Sequence, residues 1–443
     1  MAITFQRVFN VRRAEVLPVA FAIAFFFCVL TALMMLRPAR EALGMRGGLD
    51  TVRWLFVGTA IATLLVNPVF STLVSRFRRI VFISATYLFF AASLAVFYLL
   101  IVLTPEVIGL VTGQVFYVWF SVFNLFSSMV FWALMSDRFS LEQSKRFFAL
   151  IAVGGTLGAI FGPWLASVLA APLGTASLLL VSSGFLILAL CMAGALVRVQ
   201  PAQATQGTDG RSSSVSVADD GVIGGGAWDG IKAVFQSRYL LGIAAYVVIL
   251  AIMATFLYFI RLQMVAALGD EVDRRTTLFA QIDLITQVAT LVIQVLVSGH
   301  LMKRLGVHIT LALLPITALF GFVGLALVGS LAALIVFESA FRAVQRAIMR
   351  PARETLFTVV SPEEKYKAKA FVDTFVYRAG DVTGAQLEGA LGRLGIGLAA
   401  VASVAVPLAM VWAALALWLG RTQQRMAAPD LPSQMARDLP SSL

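Results

Sequence analysis

Long apolar runs separated by short charged breaks repeat along almost the whole chain. Each run has about the 20 residues that an α-helix needs to cross the hydrocarbon core of a bilayer. The pattern therefore predicts an all-α integral membrane protein with about twelve transmembrane helices in two six-helix halves. The predicted spans cover 16–36, 54–74, 80–103, 107–136, 147–170 and 174–197, and then 239–264, 277–301, 308–329, 331–357, 369–392 and 397–419.

The longest polar break separates the two sets of spans. It is rich in Ser, Gly, Ala, Gln, Thr and Asp and has no apolar periodicity, which predicts a flexible cytoplasmic linker. The predicted organisation is an N-terminal half at 1–199, a linker at 200–227, a C-terminal half at 228–420 and a cytoplasmic tail at 421–443.

A short amphipathic segment opens the C-terminal half. Trp228, Ile231, Val234 and Phe235 recur at helical spacing beside Lys232 and Arg238, which predicts a helix lying at the membrane interface. Lys and Arg also cluster in alternate loops, and the positive-inside rule then places both termini in the cytoplasm. A bacterial inner membrane is the expected location.

The composition agrees with lipid as the main solvent of the chain. Hydrophobic residues make up 60% and charged residues 13% of the sequence. The net charge of +11 lies in short clusters between apolar runs, so it indicates membrane topology and not nucleic-acid binding. Cys28 and Cys191 lie within apolar runs and are expected to be buried thiols. We expect no cofactor or metal, no enzymatic activity and a monomer.

The predicted tenth span carries far more charge than lipid tolerates. Each arginine at the centre of a transmembrane helix costs about 2.5 to 3.5 kcal/mol, so this face must line a wet cavity or contact acidic partners. Spacing of three or four residues places most of the charges on one face, and Glu338 can pair with Arg342 one turn away. The charged residues of this span are Glu338, Arg342, Arg346, Arg350, Arg353 and Glu354.

Two interpretations of these arginines remain open. They could latch the two halves together through Asp283, Asp373 and Asp381 on the eighth and eleventh spans. Alternatively, they could bind a solute with several negative charges, because the guanidinium fork matches phosphate and carboxylate. Different arginines could serve each role.

A short motif is nearly repeated at the ends of the first and tenth spans. Leu36-Arg37-Pro38-Ala39-Arg40-Glu41 resembles Met349-Arg350-Pro351-Ala352-Arg353-Glu354. Both copies could contribute anion contacts, although Arg37 and Arg40 could also be interfacial arginines that reach lipid headgroups. Glycines on the fifth and eleventh spans predict close helix packing, namely Gly154, Gly158 and Gly162, mirrored by Gly380 and Gly384.

Three stretches resemble the ATP/ADP translocase family of plastids and obligate intracellular bacteria. They are Arg37 to Glu41; Phe131-Trp132 through Lys145 to Gly158; and Pro351 to Glu354 followed by Glu363, Glu364, Lys365, Lys367, Lys369, Asp373, Arg378 and Gly380. The resemblance implies a major-facilitator-type fold and exchange of nucleotides by alternating access without hydrolysis. Arg40 and Arg353 stand where well-known members have lysine.

The leading hypothesis is a transporter of a nucleotide or similar phosphorylated anion. Aromatic residues on the seventh span, Tyr246, Phe256 and Tyr258, could stack on a base or could simply pack. One alternative is a proton-coupled transporter of another organic anion, with Glu338, Asp373 or Asp381 titrating. Another is a membrane sensor or assembly protein that does not transport. The predicted substrate contacts are Arg37, Arg40, Arg342, Arg346, Arg350 and Arg353; the predicted charge-pairing residues are Glu41, Glu338, Glu354, Asp283, Asp373, Arg378 and Asp381.

Overall fold

The computed structural model describes residues 12–76, 79–199, 227–393 and 397–427. Every regular element in these ranges is a helix, which confirms the all-α class. The predicted linker and most of the predicted tail lie outside the described residues.

Six long helices form the N-terminal part of the chain. A short 3-10 turn, Met45–Gly47, follows the first of them. They are α1 (Arg13–Gly44), α2 (Leu49–Arg76), α3 (Arg79–Leu103), α4 (Glu106–Arg138), α5 (Leu141–Leu173) and α6 (Ser177–Val199).

The C-terminal part begins with the short helix predicted for the membrane interface. A 3-10 turn and two π-helical turns interrupt its later helices. Its helices are α7 (Ala227–Gln236), α8 (Arg238–Ala266), α9 (Val272–Val328), α10 (Leu331–Val344), α11 (Arg350–Thr355), α12 (Pro362–Phe371), α13 (Tyr377–Arg393) and α14 (Gly397–Ala427).

Ten helical stretches in the described part of the chain are long and apolar enough to cross a membrane. The other two predicted spans, 331–357 and 369–392, are helical but more charged. Each of them contains one π-helical turn, Gln345–Met349 in the first and Val372–Val376 in the second. Such turns occur frequently at functional sites, so the two most polar spans are also the least regular.

Several helices extend beyond the spans predicted from the sequence, among them α2, α5 and α14. Helix α1 likewise continues through Pro38 to Gly44, whereas the predicted span ended at 36. Membrane helices tolerate an internal proline because neighbouring groups satisfy the freed carbonyl. The predicted spans at 277–301 and 308–329 correspond to the two helical parts of α9, which meet at a kink at Gly306, with φ 72°. This left-handed conformation favours glycine.

The described chain divides into two compact units. The first unit contains α1 to α6 together with the segment Tyr258–Val288. In this unit, α5 packs closely on α1 through the predicted glycine ridge. A Cβ atom added at Gly158 would lie 2.4 Å from the Phe27 carbonyl oxygen, and one at Gly154 would lie 2.3 Å from the Ile23 carbonyl oxygen. Only glycine permits this approach of the two backbones.

A polar contact also joins the end of α5 to the start of α9 within the first unit. Gly174, with φ 79°, ends α5 and is followed by Thr175. The Thr175 amide donates a hydrogen bond to Asp273 Oδ1 at 2.6 Å. The Thr175 and Thr276 hydroxyls lie 2.8 Å apart. We call these three residues the Thr175 contact.

The second unit contains α7, the first part of α8 up to Leu257, and the chain from Ala289 onward. Here the second pair of predicted glycines packs on α8. A Cβ atom at Gly384 would lie 3.0 Å from the Ile252 Cα atom. Tyr246 is buried, its hydroxyl donates to the Leu311 carbonyl at 3.1 Å, and its ring lies 5.3 Å from that of Trp412. Tyr246 is therefore a packing residue.

Candidate functional site

Arg40 of the first unit is held against protein groups. Its guanidinium carbon lies 3.6 Å from the centroid of the Tyr117 ring, and its Nε donates to the Tyr117 carbonyl at 3.2 Å. Its Nη1 donates to Glu41 Oε1 at 3.2 Å. The side chain is 15% exposed. A cation stacked on an aromatic face and bonded to a carboxylate does not need a lipid headgroup, so this geometry argues against the interfacial interpretation of Arg40.

One carboxylate lies between two arginines in the same unit. Asp283 Oδ1 accepts a 2.9 Å hydrogen bond from Arg261 Nη1, and Asp283 Oδ2 lies 3.7 Å from Arg37 Nε. The exposed fractions of the side chains are 0% for Arg261, 2% for Asp283 and 17% for Arg37. Arg37 is thus the more accessible of the two cations that share this carboxylate.

Glu41 joins a pair of tyrosine hydroxyls. Its side chain is 1% exposed and accepts a hydrogen bond from the Tyr258 hydroxyl. The Tyr258 and Tyr117 hydroxyls lie 2.8 Å apart. The Tyr258 ring is also 5.3 Å from the ring of Phe56. Tyr258 therefore contributes its hydroxyl to a buried polar network, in addition to its ring packing.

These residues form one polar group, which we call the first-unit cluster. Its ionisable side chains comprise three arginines and two carboxylates. A bound anion could accept further charge-assisted hydrogen bonds from the arginines. The cluster consists of Arg37, Arg40, Glu41, Tyr117, Tyr258, Arg261 and Asp283.

In the second unit, the charged face of the predicted tenth span begins with an ion pair between residues one helical turn apart. Glu338, whose side chain is 1% exposed, accepts from Arg342 Nη2 at 2.6 Å and from Arg342 Nε at 2.8 Å. Arg346 follows inside the π-helical turn and is partly buried, whereas Arg350 is exposed.

The charged face continues into a second set of ion pairs. Arg353 Nη2 lies 3.0 Å from Asp373 Oδ1 and 3.8 Å from Glu354 Oε1. Glu354 also binds Lys369. We call Glu338, Arg342, Arg346, Arg350, Arg353, Glu354, Lys369 and Asp373 the second-unit cluster.

The predicted acidic partners are thus distributed over three places. Asp373 pairs with Arg353 within the second unit. Asp381 instead pairs with Arg378 at 3.2 Å, and its Oδ1 is 3.5 Å from the Thr255 hydroxyl. Asp283 belongs to the first-unit cluster, where it contacts Arg37 and Arg261. The side chains of Glu363, Lys365 and Lys367 lie outside the described residues.

Sequence reasoning missed Arg261 and Tyr117. An arginine within the otherwise apolar run 239–264 was itself a signal, because its cost in lipid demands a partner. No comparable signal marked Tyr117, whose contacts depend on how α4 packs. Within the described ranges, no group of three His, Cys, Asp or Glu side chains could hold a metal ion. Cys28 is buried and Cys191 exposed, and both are free thiols.

Comparison with known families fits this arrangement of long apolar helices with buried charges. The family model described as Major Facilitator Superfamily matches residues 16–345. This chain belongs to the Major Facilitator Superfamily. No curated protein matches the sequence. Membership in this superfamily of transporters favours transport over catalysis as the role of the buried charges.

Solved structures of several transporters share the fold. The nucleoside transporter NupG superposes with a TM-score of 0.60 at 11% identity, covering 93% of this chain and 100% of that one. A bacterial homologue of the iron transporter ferroportin gives 0.65 at 12%, covering 92% and 98%. The POT family transporter PepTSo gives 0.60 at 13%, covering 92% and 98%. These likenesses show the fold, and the substrate must be argued from the residues.

Proposed function

We propose that this protein transports a nucleotide or a similar phosphorylated anion by alternating access, in exchange for a second such anion. The observation that carries the proposal is the gathering of three arginines in the first-unit cluster. Arg261 is buried, whereas Arg37 is 17% exposed and Arg40 is 15% exposed, so the last two remain accessible. A phosphate group would accept hydrogen bonds from several of the arginine donors.

The second-unit cluster supports the same class of substrate. Glu338 pairs with Arg342, and Asp373 pairs with Arg353. Arg346 and Arg350 lie between these two pairs on the same helical stretch, so the charge of this stretch is positive. A membrane helix retains such charge where a substrate or wet cavity compensates it. The resemblance to ATP/ADP translocases narrows the proposed anion to a nucleotide.

Asp283 suggests why transport would be an exchange. Its separation of 3.7 Å from Arg37 Nε is an ion pair beyond hydrogen-bond length. A substrate phosphate could replace Asp283 at Arg37, and Asp283 would return when the substrate leaves. While Asp283 pairs with Arg37, this ion pair would oppose the conformational change, so the change would be favoured only with a substrate phosphate in place at Arg37. A protein without bound substrate would return only slowly to its other conformation. This slow return is the energetic basis of obligatory exchange.

The test is uptake of labelled ATP and ADP into liposomes that contain the purified protein. The vesicles are either preloaded with unlabelled nucleotide or left empty. We expect uptake only into preloaded vesicles. Arg37→Ala and Arg346→Ala should each lower the exchange rate by about 10- to 100-fold, which corresponds to the loss of a charged hydrogen bond.

Arg421→Ala is the matched control because Arg421 is an exposed arginine of α14 outside both clusters. It should exchange at the wild-type rate. Absence of nucleotide uptake under either loading condition, with folded protein, would exclude the proposed substrate. Full exchange activity of Arg346→Ala would remove Arg346 from the proposed site.

A second candidate is proton-coupled transport of another organic anion, and one observation favours it. Glu41 is almost fully buried and bonded to Tyr258, whose hydroxyl continues to Tyr117. Such a chain of hydroxyls ending at a carboxylate can pass a proton. Glu41 therefore joins Glu338, Asp373 and Asp381 as a candidate proton-carrying group under this alternative.

The two candidates differ in their response to a pH gradient. Proton-coupled uptake should fill empty vesicles, stop when a protonophore is added, and be lost in Glu41→Gln. Exchange should be insensitive to the protonophore, because no proton moves with the substrate. Tyr258→Phe removes the hydroxyl between Glu41 and Tyr117 and retains the ring. Under proton coupling it should lower uptake as much as Glu41→Gln does, and under exchange it should not.

A further inference from the structure

A cavity of about 400 Å³ lies in the second unit beside the interfacial helix α7. The nine side chains that line it are all apolar, and they come from α7, from the first turns of α8, and from the chain around the second π-helical turn. They include Phe235, Leu241, Ala245, Val248, Phe371 and Val376. We call this cavity the α7 groove.

The α7 groove extends along the beginning of α8. Its lining residues on this helix run from Leu241 to Ile249, a rise of about 12 Å at 1.5 Å per residue. Val234 of α7 is buried, whereas Phe235 is 68% exposed and Leu241 is 43% exposed. An amphipathic helix of this kind lies at headgroup level with its apolar side toward the acyl chains. The groove therefore leads from headgroup level into the acyl region.

Two exposed cations stand at the headgroup end. Lys232 is one helical turn before Phe235 on α7, and Arg238 is one turn before Leu241 on α8. Residues three apart are neighbours on a helix surface, so each cation stands beside a residue that lines the groove. Basic residues next to a membrane helix attract anionic lipid headgroups.

We propose that the α7 groove is a binding site for an anionic phospholipid. One acyl chain lies along Leu241, Ala245 and Val248, and Lys232 and Arg238 bind the phosphate. The apolar groove alone would accept any acyl chain. The two cations add a preference for a lipid with an anionic headgroup. The residues that line this site belong to neither charged cluster, and the proposal does not depend on the identity of the transported solute.

The test is native mass spectrometry of the full-length protein in detergent, titrated with phosphatidylglycerol or with phosphatidylcholine of the same acyl composition. Wild-type protein should retain one phosphatidylglycerol molecule and should bind it more tightly than phosphatidylcholine. The double variant Lys232→Gln and Arg238→Gln should lose affinity by about fivefold per charge removed, as expected for basic residues at an anionic surface. Affinity for phosphatidylcholine should not change.

Ala245→Trp tests the apolar part, because Ala245 is exposed and its enlargement fills the groove without entering the core. It should abolish retention of the lipid. Leu327→Trp is the matched control, since it places the same side chain at an 81% exposed position outside the groove. The charge-conserving pair Lys232→Arg and Arg238→Lys should bind as wild type.

Equal retention of the two lipids by wild-type protein would overturn the proposal and assign the groove to ordinary boundary lipid. An unchanged affinity in the double glutamine variant would do the same. If Ala245→Trp does not fold, the double glutamine variant still tests the proposed lipid site. Both of its substituted positions are exposed, so it should fold.

Discussion

Arg261 and Asp283 form a buried ion pair between two helices. Both are almost completely removed from solvent, and their 2.9 Å hydrogen bond joins α8 to α9. The sequence marked Asp283 as a candidate because it is an acid within an apolar run. The same reasoning applied to Arg261 would have found the pair. The tyrosine contacts of Glu41 were beyond prediction, because a hydroxyl in an apolar run carries no charge that demands a partner.

We predict that Asp283→Asn destabilises the protein by about 3 to 5 kcal/mol, because breaking a buried ion pair leaves an uncompensated buried cation. Thermal or denaturant unfolding of the purified protein in detergent measures this change. Asp50→Asn is the control, since Asp50 pairs with Arg53 but is 84% exposed, and it should cost about 0 to 1 kcal/mol. Equal effects of the two substitutions would contradict the structural role of Asp283.

At the scale of the helix, the apolar pattern predicted ten stretches that are long and apolar enough to span a membrane, but not the irregularities of the helices. Helix α1 passes through Pro38, and the tenth and eleventh spans each contain a π-helical turn. A π-helical turn changes the register by one residue, and the local packing decides where that residue is accommodated. The periodicity of charges therefore indicated one face for Glu338 to Glu354 without revealing the wide turn at Arg346.

The glycine contact between α1 and α5 gives a prediction about this helix pair. Gly158→Ala should destabilise the protein by about 1 to 3 kcal/mol, because the added Cβ would overlap the Phe27 carbonyl and force the helices apart. Gly194→Ala on α6 has no atom within 4 Å of the added Cβ. It should be neutral or stabilising by up to about 1 kcal/mol. Unfolding midpoints of the two variants, measured side by side, decide between these expectations.

The π-helical turn at Gln345–Met349 gives a second prediction at this scale. Deleting Ala347 should convert it to an α-helical turn and move Arg346 relative to Arg342 and Arg353. We expect loss of nucleotide exchange with a thermal midpoint near that of wild type. The control Ala347→Ser retains the chain length and should remain active. An active deletion variant would show that the wide turn is not needed for Arg346 to act.

For the molecule as a whole, the sequence predicted an all-α membrane fold, and the superfamily match confirms that class of protein. The substrate is a different question, because solved structures with this fold include a nucleoside transporter and a homologue of an iron transporter. Each unit gathers several arginines beside acidic side chains, and the proposal of an anionic substrate rests on these arginines.

Binding of such an anion should stabilise the entire fold. At a concentration about 100 times its dissociation constant, ATP should raise the free energy of unfolding by about 2.7 kcal/mol. Scanning fluorimetry with ATP, ADP and adenosine measures the corresponding rise in midpoint. Adenosine, which has no phosphate, should have no effect, and Arg37→Ala should respond weakly to ATP. A response to adenosine as large as that to ATP would refute recognition through phosphate.

The Thr175 contact has a kinetic consequence. The Thr175 amide and hydroxyl tie the end of α5 to the start of α9 through Asp273 and Thr276. Any motion that draws these two helix ends apart must break both bonds before new ones form. Each bond is worth about 0.5 to 3 kcal/mol, and its loss adds to the activation barrier. The strength of this small contact would therefore affect the rate of any such motion.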